Sequence, residues 1–103
     1  MSITECIALV KSLDCSTKEG KEKVRLTLMA AGFTEFYTIK WDKAGTIYRI
    51  NFAHPKSKTV VEFRHSKEPL TRTLCNISRD TNLKIKGWRV IRLSRDPKPV
   101  AIS

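Results

Sequence analysis

The chain has 103 residues, with 20 Lys and Arg against 10 Asp and Glu, a net charge of +10. At 41% apolar and 29% charged it has enough apolar material for one core and too much for a disordered tail. The sequence holds no run of 18 apolar residues, and its first apolar stretch follows no basic leader, so neither a membrane-spanning helix nor a secretory signal is expected.

Cys6, Cys15 and Cys75 are odd in number and lack CxxC spacing. That argues against a disulfide framework and a zinc site, and for a reducing, cytoplasmic compartment.

Ser2-Ile3-Thr4-Glu5 has the form of a capping box and opens a segment with Ile3, Ile7, Val10 and Leu13 on one face. Ser16-Thr17-Lys18-Glu19 repeats the signature ahead of Val24, Leu28 and Ala31, and Gly32 supplies a left-handed stop. One or two N-terminal helices follow from this.

The period then changes to two. Residues 35–41, 46–53 and 59–65 alternate and are rich in β-branched and aromatic residues. Hairpin-length connections at 42–45 and 54–58 make them an antiparallel meander. With Tyr37, Ile39, Trp41, Tyr48, Ile50, Phe52, Val61 and Phe63 turned to the helices, the other face would be open. It would carry Thr38, Lys40, Arg49, Asn51, Glu62 and Arg64.

Helical spacing returns at Leu70, Leu74 and Ile77, with Ser66 as a cap and Pro69 in the first turn. This helix should end near Asp80 or Asn82. A fourth strand should cover 85–93, with a bulge or bend at Gly87. The expected fold is α+β in the order α-β-β-β-α-β, with an N-terminal helix or helices, an antiparallel sheet of three or four strands and one further helix. It forms a single basic domain over 1–95, with a tail at 96–103.

The charge is uneven. Residues 1–33 carry a net +1, residues 34–66 a net +3 and residues 67–103 a net +6. The densest stretch is Lys84, Lys86, Arg89, Arg92, Arg95 and Lys98, with Trp88 among them. Such a field selects polyanions, nucleic acid first. The expected contact set is Lys84, Lys86, Trp88, Arg89, Arg92 and Arg95, extended by Lys40, Arg49 and Arg64 across the open face. Basic side chains would neutralise phosphates and Trp88 would stack on a base. No cofactor and no metal is expected. The four glycines are isolated, so no phosphate-cradling loop forms, and no carboxylate spacing selects a metal pair.

Three short patches lie within residues 24–83: Leu28-Met29-Ala30-Ala31-Gly32-Phe33, His54-Pro55, and His65-Ser66-Lys67-Glu68-Pro69-Leu70 with Leu74. On these patches the chain resembles the HicA toxin family of small RNA nucleases, whose core is double-stranded-RNA-binding-domain-like. The resemblance implies that fold and affinity for RNA. The family's catalytic histidine would enter the second strand, and here Gly45-Thr46-Ile47-Tyr48-Arg49 contains none.

A nucleic-acid-binding protein, RNA ahead of DNA, is therefore the first expectation. The alternatives are a HicA-like nuclease with a displaced histidine, His65, and an adaptor that docks an acidic protein partner. The oligomeric state has no sequence signal.

Overall fold

The computed structural model describes residues 2–40, 45 and 47–97. The expected inward face of Trp41 and the tail from 98 onward, Lys98 included, lie outside the described residues. The fold is α+β. Helices α1 (Ile3–Ser12) and α2 (Lys18–Ala30) precede strands β1 (Thr34–Lys40), β2 (Ile47–His54) and β3 (Thr59–Arg64). Helix α3 (Leu70–Ile85) and strand β4 (Arg89–Ser94) follow. The sheet order is β1-β2-β3-β4. The first three strands form the expected antiparallel meander. β4 joins parallel to β3 with α3 as the crossover, so the sheet is mixed.

Local chemistry sets the helix ends. The Ser2 hydroxyl accepts the Glu5 N–H at 3.1 Å. The cap of α2 is Thr17, one residue beyond Ser16, and it accepts the Gly20 N–H at 2.9 Å. Ser16 is occupied instead: its N–H and hydroxyl both donate to Asp14 Oδ1. α2 ends as expected, with Gly32 at φ 96° and the Phe33 N–H on the Leu28 carbonyl.

α3 departs from expectation at both ends. Pro69 stands at the N-cap with no side-chain bond, and Ser66 turns away from the helix. At its other end α3 runs one turn further than the spacing predicts. Gly87, at φ 87°, is a helix terminator rather than a strand bulge: its N–H meets the Lys84 carbonyl, and the Trp88 N–H meets that of Leu83. Lys84 and Ile85 therefore belong to the helix, and β4 begins at Arg89.

The sheet is covered on both faces. Cys6, Ile7, Val10, Val24, Leu28 and Phe33 of the N-terminal half pack with Phe52, Val61, Ile91 and Leu93. Their sheet neighbours Val60 and Val90 point the other way. They join Ile39, Ile50, Ala53 and Leu83, with Tyr37, Tyr48 and Trp88 at the margin. The core thus lies in two layers.

This corrects the single open face. Residues two apart should share a face, yet Glu35 pairs with Arg25 of α2 at 3.3 Å while Tyr37 packs with Trp88 on the α3 side. The swivel sits at Phe36, whose φ of 56° is left-handed, and opposite it at Asn51. The Asn51 side chain accepts the Phe63 N–H at 3.2 Å in place of a ladder bond. Phe52 consequently faces α1 and α2, whereas Ile50 faces α3. Lys40 and Arg49 stay exposed, on the opposite side of the sheet from Glu62 and Arg64.

The stripe Leu70, Leu74 and Ile77 is also exposed, with Cys75 beside it. α3 buries Asp80 and Leu83 instead.

Candidate nucleic-acid interface

β3 and β4 run parallel, so their ends define two poles of the molecule. The rise from Arg89 to Ser94 separates them by about 17 Å. The expected contact residues divide between these poles.

At the first pole, the start of β3 and β4 meets the end of α3. Lys56 lies in the single 3₁₀ turn Pro55–Ser57, which the His54 ring caps by accepting the Ser57 N–H at 3.2 Å. Lys58 follows in a left-handed conformation (φ 51°). Its carbonyl accepts the Arg89 N–H at 2.7 Å, and its ammonium donates to the Lys86 carbonyl at 3.2 Å. Lys84 stands in the last turn of α3 and Lys86 at its C-cap. Lys56, Lys58, Lys84, Lys86 and Arg89 are all exposed. Residues 55–59 and 81–91, which build this corner, contain no acid. Trp88 is half-buried against Tyr37, with ring centroids 6.4 Å apart, so it is a margin of the core rather than a free stacking platform.

At the second pole, basic residues meet carboxylates. Glu62 and Asp80 are buried between the sheet and α3. Arg64 pairs with Glu62, and with Asp80 at 3.2 Å. Arg79 pairs with Glu62 at 3.0 Å. Arg92 places its Nε on Asp80 Oδ2 at 2.9 Å. Burial pushes the Glu62 carboxyl above its ordinary range, and the neighbouring Asp80 adds to this, against the pull of Arg79 and Arg64. Arg64 therefore anchors a buried ion network and is withdrawn from the expected contact track. Arg92 is committed at one edge of its guanidinium. Arg95 is exposed beyond this pole, its N–H on the Arg64 carbonyl.

A cleft of about 450 Å³ opens here between α3 and the carboxyl ends of β3 and β4. It is lined in part by Arg64, His65, Asn76, Asp80, Arg92 and Asp96. His65 Nδ1 accepts the Lys67 N–H at 3.0 Å and lies 3.4 Å from Asp96 Oδ1. The neutral ring therefore carries its proton on Nε2 and offers a donor to its surroundings. Asp96 accepts from the Ser66 N–H and hydroxyl and from Ser94. Partial burial opposes its ionisation, but these hydrogen bonds, led by those from Ser66, outweigh it and hold the carboxyl below its ordinary range.

Sequence reasoning missed Glu62, Arg79, Asp80 and Asp96, because their partners lie up to 30 positions away in the chain. Lys56 and Lys58 were legible as a basic turn, but nothing in the spacing placed Lys58 beside Lys86. Among the described residues no helix is long and apolar enough to cross a membrane, and no three His, Cys, Asp or Glu form a metal-binding group. Comparison with protein families, with curated proteins and with solved structures finds no match to this chain.

Proposed function

We propose that this chain binds nucleic acid through the basic corner formed by Lys56, Lys58, Lys84, Lys86 and Arg89. RNA is favoured over DNA by the resemblance of residues 24–83 to the HicA family. The observation that carries this reading is how the acids are distributed. At the second pole, Glu62 and Asp80 pair with Arg64, Arg79 and Arg92. At the first pole, Lys56, Lys84 and Arg89 are exposed and take part in no described side-chain ion pair, on segments that contain no acid. Cations held there would neutralise strand phosphates, and release of the counterions condensed on the nucleic acid drives association.

The test is a titration of single-stranded RNA, double-stranded RNA and duplex DNA at two salt concentrations. It compares the native chain with a variant reversed at Lys56, Lys84 and Arg89. Binding that is lost in the variant, with the fold retained, supports the corner; unchanged binding refutes it. Strand cleavage by His65 is the second reading, favoured by its place in one cleft with Arg64 and Arg92. RNA left intact by the purified native chain under binding conditions would dismiss it.

A further inference from the structure

The polar groups of the second-pole cleft differ in how much of their hydrogen-bonding capacity is taken up. Glu68 is held by Asn76 Nδ2 at 3.1 Å and by the Thr73 hydroxyl at 3.5 Å. Asp96 is held by Ser66 and Ser94. Asp80 bridges Arg64 and Arg92. The Arg64 terminal nitrogens are engaged by Glu62, Asp80 and the Phe63 carbonyl.

Among the described residues that line the cleft, the donors left without a partner include two that bear on ligand binding. One is the outer edge of Arg92, whose contacts are confined to Nε and Asp80. The other is Nε2–H of His65, whose contacts all fall on Nδ1. The carboxylates are thus already answered from within the protein, and what the cleft leaves open is donor capacity. Asp80, itself buried, holds the Arg92 guanidinium by its Nε and leaves the terminal nitrogens directed away from that contact. A pre-oriented guanidinium fork recognises two oxygens of one planar or tetrahedral oxyanion.

We propose that this cleft is a second, separate site that takes a phosphate monoester, either at the end of a nucleic-acid strand or on a free nucleotide. The strand-end source rests on the nucleic-acid reading, whereas the site itself rests on the cleft alone. Arg92 receives two phosphate oxygens and His65 Nε2–H donates to a third. The cleft's volume falls within the range of small-ligand sites. A monoester suits it better than an internal diester, because only the monoester leaves three oxygens free for the two terminal nitrogens of Arg92 and His65 Nε2–H.

The test uses the full chain and three internally labelled single-stranded RNAs of one sequence, carrying a 5′-phosphate, a 3′-phosphate or neither. A parallel arm follows the amide and guanidinium NMR signals during titration with adenosine 5′-monophosphate or adenosine. One phosphorylated end should bind about tenfold tighter than the unphosphorylated strand, the order expected for a charge-assisted pair. If the source is a free nucleotide, the monophosphate should instead shift the Arg92 and Ser94 signals where adenosine does not. Arg92→Ala should abolish either preference, and Arg92→Lys should weaken it by removing the fork while keeping the charge. The Arg92 side chain is 46% exposed and Asp80 retains Arg64, so the alanine variant should fold; its thermal melt checks this. Equal binding of all three RNAs together with no response to the monophosphate overturns the proposal, as does a preference that survives in Arg92→Ala. Failure of the basic-corner reading looks different: reversing Lys56, Lys84 and Arg89 would then leave RNA affinity unchanged, while the monophosphate arm stands on its own.

Discussion

Reversal of Lys56, Lys84 and Arg89 to glutamate has a calculable consequence. Each of these side chains is exposed, and none takes part in a described side-chain hydrogen bond or ion pair; Arg89 contributes only its backbone N–H to the Lys58 carbonyl. Removing them therefore costs little stability, of the order of 0.5 kcal/mol for surface positions. If the five corner cations each neutralise one phosphate of a single strand, the log–log salt slope is about −3.5. Between 50 and 200 mM salt that slope lowers affinity about a hundredfold. Two cations remain after the reversal, so the slope falls to about −1.4 or shallower, and the same salt step costs about sevenfold. Fluorescence anisotropy over a salt series, with circular dichroism to confirm the fold, measures both quantities. A slope that stays near the native value in the variant refutes the corner as the contact surface. Reversal at Arg92 would not be an equivalent test, since its Nε is paired with the buried Asp80 and a carboxylate there would meet Asp80 and Glu62.

Three further outcomes test the fold that positions these poles. A Cβ added at Gly20 would sit 1.5 Å from the Asp14 carbonyl oxygen, so the backbone must shift and Gly20→Ala should cost about 1–3 kcal/mol or more in denaturant titration. Leu83→Ala should cost about 2–5 kcal/mol, because Leu83 is fully buried, while Leu74→Ser on the exposed face of the same helix should stay within about 0.5 kcal/mol. Glu62→Gln has a pH signature. A carboxyl whose folded pKa lies above its ordinary 4.5 stabilises the fold below that value and loses the contribution as pH rises through the folded pKa. The native chain should therefore lose stability relative to Glu62→Gln as pH rises above 4.5; a difference that stays flat or changes the opposite way contradicts the burial argument.

The regular elements were legible because local signals decide them. The Ser2 cap, the Gly32 stop and the three alternating runs each depend on residues within a few positions of one another. α3 was misjudged where a local signal has two meanings. Gly87 can interrupt a strand or end a helix, and what settles the choice is Trp88 packing back toward Leu83, a contact made only once the sheet is in place. The swivel at Phe36 and Asn51 left no trace in the alternation, since both residues keep the period while exchanging its faces. Leu70, Leu74 and Ile77 have the spacing of a core stripe, yet α3 meets the sheet through Asp80 and Leu83. Periodicity shows which residues share a face of a helix and leaves open what that face meets.

The same distinction governs the charges. In the sequence, Arg64, Lys84, Lys86, Arg89, Arg92 and Arg95 count equally toward the excess. In the fold, the parallel placement of β3 and β4 carries Arg64 and Arg92 to the pole where Asp80 is buried, and leaves Arg89 at the pole with Lys56, Lys58, Lys84 and Lys86. A buried carboxylate deprived of its guanidiniums would be left uncompensated at a cost of about 3–5 kcal/mol, so these pairs hold during any binding event worth less than that. Arg64 is therefore unavailable to a polyanion for an energetic reason as well as a geometric one. Arg92 keeps its outer edge free and can pair with Asp80 and an oxyanion together. At the opposite pole Lys56, Lys84 and Arg89 take part in no described side-chain hydrogen bond or ion pair, so neutralising phosphates there breaks no buried pair, and the counterions released from the nucleic acid are the source from which binding draws its free energy.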